Sequence, residues 1–172
     1  MKFNYTTVDL AILAVVAALF GAVFAFAWTP YYAIKAIGGK PAAVLLTYGI
    51  WYMAAPLTAT LLKKPGSAVL GETLAGLVES LIPQIGGSSS LIYAFFQGLF
   101  SEAVYALGKY RSFGSLQAVL AGAVPAIPSI LLDIFIWKSI YPLEVFTILT
   151  VLAMASGAIY GFIAYKIAER TR

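Results

Sequence analysis

The sequence contains no cysteine and no histidine, and only 10% of its residues are charged. Without cysteine the chain has no disulfide, no nucleophilic thiolate and no sulfur ligand for a metal. Without histidine it also lacks the commonest metal ligand and a common general base. These absences argue against a hydrolase or a metalloenzyme, and we expect no cofactor.

What the chain has in abundance is apolar sequence: 62% of its 172 residues are hydrophobic, and the mean hydropathy is +0.92. That composition is typical of a polytopic membrane protein. A spanning helix needs about 20 apolar residues, and breaks at charged, Gly or Pro residues divide the chain into six such segments. We therefore predict one all-α transmembrane domain over residues 1–172. Its six helices are predicted at residues 9–28, 42–62, 66–82, 90–107, 115–137 and 143–167.

The basic residues are distributed unevenly between the two sides of this predicted bundle. One side carries Lys2, Lys63, Lys64, Lys109, Arg111, Lys166, Arg170 and Arg172. The other side carries Lys35, Lys40 and Lys138. Positive residues favour the cytoplasmic side of short loops, so both termini are predicted to be cytoplasmic, in a cell membrane. The net charge of +4 then indicates contact with lipid headgroups and no nucleic-acid partner.

Four carboxylates lie inside the hydrophobic segments: Glu72, Glu79, Glu102 and Asp133. An ionised acid at the centre of a membrane costs at least about 2.5 to 3.5 kcal/mol, so such residues usually face a partner, water or a ligand. The predicted orientation places Glu72 and Glu102 in the cytoplasmic half of the bundle. There we favour a structural or coupling role, in which the two acids bond to each other, cap backbone groups or pair with nearby lysines.

The other two acids, Glu79 and Asp133, fall in the outer half of the bundle. Helical periodicity brings aromatic and amide side chains toward them from neighbouring helices; these are Tyr48, Trp51, Tyr93 and Gln97. Together the six residues predict an external pocket for a small, flat, cationic or hydrogen-bonding molecule. Asp133 either contacts that ligand or pairs with Lys138. The predicted loop at residues 29–41 is placed to close over the mouth as a lid.

Small residues form a stripe on the first predicted helix, where Ala14, Ala18 and Ala22 recur every fourth position. Such a stripe allows helices to approach closely in lipid. It is compatible with internal packing or with docking of a partner. Gly157 and Gly161 on the last helix leave the same two alternatives.

The chain resembles the YkoE family in four stretches: Tyr48-Gly49-Ile50-Trp51, Lys64-Pro65-Gly66 continuing through Glu72 and Glu79, Gln97-Gly98-Leu99 with Glu102-Ala103-Val104, and Leu132-Asp133. Members of this family are substrate-binding S components of energy-coupling factor (ECF) transporters. The resemblance implies thiamine or its hydroxymethylpyrimidine precursor as substrate. It also implies a transmembrane coupling subunit and two ATPase subunits as partners, with Ala14, Ala18 and Ala22 as the docking surface.

Other functions are compatible with the same residues. The acids would serve an ion-coupled secondary transporter as cation sites, although the sequence shows no convincing two-half repeat. An S component for another vitamin, or a purely structural subunit, would also be membrane-embedded. The chain has no Walker A motif, so we expect it not to be an enzyme and ATP to be hydrolysed in partner subunits.

Overall fold

The computed structural model describes residues 4–171, and those residues form helices joined by short turns. Lys2 and Arg172, which were counted for the orientation, lie outside the described residues. The described chain contains seven α-helices and one 3-10 helix. In chain order they are α1 (Thr7–Thr47), the 3-10 helix (Tyr48–Tyr52), α2 (Ala54–Leu62), α3 (Ser67–Leu81), α4 (Ser89–Leu107), α5 (Ser115–Ala123), α6 (Ala126–Trp137) and α7 (Leu143–Arg170).

Helix α1 is much longer than predicted, and it is folded back on itself at Gly39. That residue has φ +75° and ψ 177°, a backbone conformation that glycine adopts far more readily than other residues. A first arm (residues 7–38) and a second arm (residues 40–62, which continues through the 3-10 helix and α2) therefore run in opposite directions. The prediction of a loop and lid at residues 29–41 is wrong, because the chain stays helical through Pro30 as far as this reversal.

The second arm is not the continuous helix that was predicted for residues 42–62. At Tyr48–Tyr52 it tightens into the 3-10 helix. Here the backbone N–H of Gly49 donates to Ser156 Oγ of α7 at 2.9 Å. This contact with a neighbouring helix takes Gly49 out of the regular α-helical hydrogen-bond pattern, and α2 begins only at Ala54.

The predicted helix at residues 115–137 is likewise two helices, α5 and α6. The break falls at Val124 and Pro125, where proline has no N–H to donate to the preceding turn. Helices α3, α4 and α7 match their predicted ranges to within three residues at each end. Lysine and proline residues that flank these three segments made their limits readable.

Glycines bring α5 and α7 into direct backbone contact. A Cβ atom on Gly122 would lie 2.1 Å from the carbonyl oxygen of Gly157, and one on Gly157 would lie 2.0 Å from that of Gly122. Gly161 meets Ala118 in the same way, at 2.3 Å. Of the two alternatives left open for Gly157 and Gly161, the structure thus shows internal packing.

The two ends of the bundle differ in character. At one end Lys64 contacts Asp9, and Tyr5 donates to the carbonyl oxygen of Pro65 at 2.9 Å.

Within residues 4–171, four stretches are long and apolar enough to cross a membrane, which makes this a multi-pass membrane protein. They are Thr7–Leu62, Ser89–Leu107, Ser115–Trp137 and Leu143–Arg170. Helix α3 is not among them, and the count of six crossings and the orientation stay predictions.

Candidate functional site

A cavity of about 280 Å³ opens at the end of the bundle opposite to Lys64 and Asp9. Its size is near the lower limit for small-molecule sites, about 300 Å³. All six residues predicted to bind a substrate lie on its wall: Tyr48, Trp51, Glu79, Tyr93, Gln97 and Asp133. The structure therefore brings the predicted set together, and its role in binding stays a prediction.

Glu79 stands on one side of this cavity, near the end of α3, with 2% of its surface exposed. Its Oε1 accepts hydrogen bonds from two indole N–H groups, from Trp28 at 3.1 Å and from Trp51 at 3.3 Å. Among the described residues it has no ion-pair partner. The carboxyl group is thus held by neutral donors only, and no described cation compensates its charge when it is ionised.

Aromatic rings surround that charge and form what we call the aromatic cage (Trp28, Tyr31, Tyr32, Tyr48 and Trp51). The rings of Trp28 and Trp51 meet edge to face, with centroids 5.2 Å apart. Tyr32 stacks on Trp28 at 6.1 Å. Aromatic faces attract cations and also stack on flat heteroaromatic rings. The cage and Glu79 are therefore chemically suited to one planar, positively charged group.

Asp133 stands on the opposite side of the cavity, on α6, and is already paired. Its Oδ2 accepts from Lys40 Nζ at 2.9 Å and from the Tyr48 hydroxyl at 3.0 Å. Its Oδ1 accepts from the Tyr93 hydroxyl at 2.9 Å. Of the two alternatives for Asp133, ligand contact or an ion pair with Lys138, the second is wrong, because the cation that pairs with Asp133 is Lys40. Helix α6 ends at Trp137, and Lys138 follows it with φ +54°.

Gln97 supplies the neutral polar group of the site. Its side-chain N–H donates to Ser129 Oγ at 3.0 Å, and Ser129 donates in turn to the carbonyl oxygen of Pro125 at 2.7 Å. This chain of bonds fixes the amide. Its Oε1 accepts no hydrogen bond from the described residues, so it is available to a donor on a ligand.

The two remaining acids lie away from the cavity and accept hydrogen bonds from backbone N–H groups at the beginnings of helices. Glu102 accepts from the backbone N–H groups of Gly66 at 2.6 Å and Ala68 at 2.9 Å, at the beginning of α3. Glu72 accepts from the N–H of Ala55 at 2.7 Å, at the beginning of α2. Carboxylates satisfy free N–H groups at helix N-termini and interact favourably with the helix dipole. Of the structural and coupling roles predicted for both acids, this geometry favours the structural one.

The alanine stripe occupies the outer surface of α1. Ala14 and Ala18 are exposed and Ala22 is half-buried. A second set of small residues on the same helix faces inward, where a Cβ atom on Gly21 would lie 2.5 Å from Val78. Internal packing is therefore carried by the inward set. The outer stripe stays available to a partner.

Sequence reasoning missed several side chains that complete the site. Trp28 was read only as the end of a helix, and Lys40 only as a loop charge. Trp137 and Ser139 also line the cavity. The Gly38-Gly39-Lys40 sequence could have indicated the position of Lys40, because a glycine pair favours a reversal of the chain and the lysine directly follows it.

A multi-pass helical bundle whose described residues enclose a charged aromatic cavity is typical of membrane proteins that bind a small molecule. The comparisons with known proteins make this class specific. Residues 8–128 match the family described as "ABC-type cobalt transport system, permease component". The chain belongs to this family of membrane transport proteins.

Two similar proteins refine the comparison. The YkoE protein of Bacillus subtilis (strain 168), named as an HMP/thiamine permease protein, is 28% identical over 152 residues, which are 88% of this chain and 76% of that protein. A crystal structure of an S component of an ECF transporter superposes with a TM-score of 0.90 at 24% identity, covering 98% of this chain and 86% of the other. The fold is that of an S component, and the resemblance indicated by the sequence motifs is confirmed.

Proposed function

We propose that this chain is the substrate-binding S component of an ECF-type importer and that it binds thiamine or its hydroxymethylpyrimidine precursor from outside the cell. The observation that carries the proposal is the uncompensated carboxylate of Glu79 inside the aromatic cage. A buried charge of this kind is costly unless a partner of opposite sign arrives. A cationic ligand is such a partner.

Thiamine matches the cavity group by group. Its permanently charged thiazolium ring would lie against Glu79 and the faces of Trp28 and Trp51. The amino group of its pyrimidine would donate to the free Oε1 of Gln97. Tyr48 and Tyr93, held by Asp133, would form the facing wall. The name of the Bacillus subtilis relative, an HMP/thiamine permease protein, supports this choice.

The family description mentions cobalt, and the donor set of this chain argues against a metal ion as substrate. The sequence has neither cysteine nor histidine. Among residues 4–171 no three carboxylates gather closely enough to hold a metal. A cavity walled by aromatic rings favours an organic substrate.

The rest of the proposal concerns topology and partners. With six crossings and both termini in the cytoplasm of the cell, the cavity would open to the outside. The exposed alanines at positions 14 and 18, with Ala22, would dock on a transmembrane coupling subunit. Two ATPase subunits would hydrolyse ATP, so this chain would itself catalyse no reaction.

Calorimetric titration of the purified chain in detergent tests the binding function. The protein would be titrated with thiamine, hydroxymethylpyrimidine, riboflavin and biotin. We expect saturable binding of thiamine or hydroxymethylpyrimidine and none of the other two. Tight binding of riboflavin or biotin would keep the S-component role and overturn the substrate, whereas binding of none of the four would overturn the proposed function.

A further inference from the structure

Lys40 joins three parts of the chain at the outer end of the bundle. It follows the reversal at Gly39, and its Nζ lies 2.9 Å from Asp133 Oδ2 on α6. The same ammonium group hydrogen-bonds to the hydroxyl of Tyr141, between α6 and α7, and lies 4.7 Å from the centre of that ring. Only 20% of the Lys40 side chain is exposed. Its contacts with Asp133 and Tyr141 hold it in this position.

The pairing of Lys40 with Asp133 determines the charge of the cavity. Among the described residues, four charged side chains line it: Lys35, Lys40, Glu79 and Asp133. Lys35 is exposed at the mouth, 5.5 Å from the ring centre of Tyr32, where water screens its charge. Lys40 and Asp133 cancel each other. Glu79 is left as the one uncompensated charge inside.

We propose that Lys40 is a specificity-determining positioning residue: by neutralising Asp133, it gives the cavity a single net negative charge and so a preference for ligands with one positive charge. The inference rests on the proposed function. It assigns Asp133 an indirect role, because a ligand cation would have to displace Lys40 to contact the Asp133 carboxylate. Asp133 then contributes by holding the hydroxyl groups of Tyr48 and Tyr93.

The test compares two ligands that differ in charge, the thiamine cation and neutral hydroxymethylpyrimidine. In D133N the ammonium of Lys40 loses its counter-ion, so the cavity becomes more positive by one charge. Two like unit charges on opposite sides of a cavity about 10 Å wide, at an effective dielectric constant of about 20, still repel enough to change a Kd by about tenfold or more. We therefore expect the ratio of the Kd for thiamine to the Kd for hydroxymethylpyrimidine to rise at least about tenfold.

Two further variants separate charge from shape. The double variant D133N/K40Q removes both charges and is expected to return the ratio to within about threefold of wild type, even where both affinities fall. E144Q, which removes an exposed carboxylate at the start of α7, is expected to leave the ratio unchanged. Monodispersity in size-exclusion chromatography would be checked for each protein, and D133S, which leaves the same unpaired cation, replaces D133N if that variant does not fold.

The possible results are distinct. A ratio that rises in D133N and returns in the double variant supports the inference. An unchanged ratio in a folded D133N or D133S that still binds both ligands overturns it and leaves the proposed function standing. A wild-type protein that binds neither ligand overturns the proposed function, and the inference with it.

Discussion

Replacement of Glu79 by glutamine removes the one charge that we expect a ligand to meet. Glutamine has nearly the same shape and retains a side-chain oxygen that can accept from the indole N–H groups of Trp28 and Trp51, now 3.1 and 3.3 Å from the carboxylate. Glu79 is buried in a packed wall, so the isosteric change leaves the cavity its size. Any loss of affinity then reports on charge.

The expected loss follows from electrostatics. Opposite unit charges about 5 Å apart interact by roughly 3 kcal/mol at an effective dielectric constant of about 20. Part of that attraction repays the desolvation of the ligand cation, and the amide dipole of glutamine retains some of it. We therefore expect thiamine to bind E79Q at least about tenfold more weakly than wild type, a change of about 1.4 kcal/mol or more.

Isothermal titration of the detergent-solubilised proteins measures this loss. Hydroxymethylpyrimidine, which lacks the thiazolium, should lose much less affinity in E79Q than thiamine does. E144Q is the matched control, because it deletes an exposed carboxylate of α7 that touches none of the cage. If folded E79Q bound thiamine with wild-type affinity, the assignment of Glu79 as the cation site would be refuted.

Three further predictions concern the cage, the helix packing and the partner surface. W28F retains a ring but replaces the indole face that the thiazolium is proposed to contact, and it removes the N–H that holds Glu79 at 3.1 Å. Because a desolvated contact between a cation and a Trp face contributes about 2 kcal/mol and Phe is a weaker partner, titration should show thiamine bound several-fold to about tenfold more weakly; equal affinity would contradict this. G157A drives a methyl group onto the carbonyl of Gly122 and should lower the Tm by about 5 °C or more. G108A should not, because its new Cβ would lie 3.5 Å from the nearest atom, an ordinary van der Waals contact; equal melting of the two variants would disprove the packing argument. A18L should abolish co-purification with the coupling subunit without changing thiamine affinity, and an intact complex would remove the stripe from the docking surface.

The separation of the four membrane acids into two groups was readable from the sequence because it follows from the position of each acid along its predicted helix, whereas the side of the membrane that each group faces stays a prediction. Glu79 and Asp133 are found at one end of the bundle and Glu72 and Glu102 away from it, as the depth argument predicted. The aromatic and amide partners followed from the same 3.6-residue periodicity. Such features can be predicted because the face on which a residue lies depends only on its position within its own helix.

Two contacts of those acids, Lys40 with Asp133 and Trp28 with Glu79, could not be predicted, because they depend on where the chain turns. The sequence pattern predicts a loop at Pro30 and the adjacent tyrosines, yet proline is tolerated in membrane helices whose neighbours satisfy the freed backbone groups. The actual reversal at Gly39 brings Lys40 to Asp133 and extends the first arm. Trp28 was likewise overlooked because a tryptophan at a predicted helix end is typical of the membrane interface.

A structure of this protein with thiamine bound tests the central claim most directly. We predict the thiazolium ring within about 6 Å of the indole centres of Trp28 and Trp51, beside Glu79, with the pyrimidine amino group donating to Gln97 and the contact between Lys40 and Asp133 intact. A thiazolium ring placed against Asp133 with Lys40 displaced, or thiamine bound outside this cavity, would contradict the account.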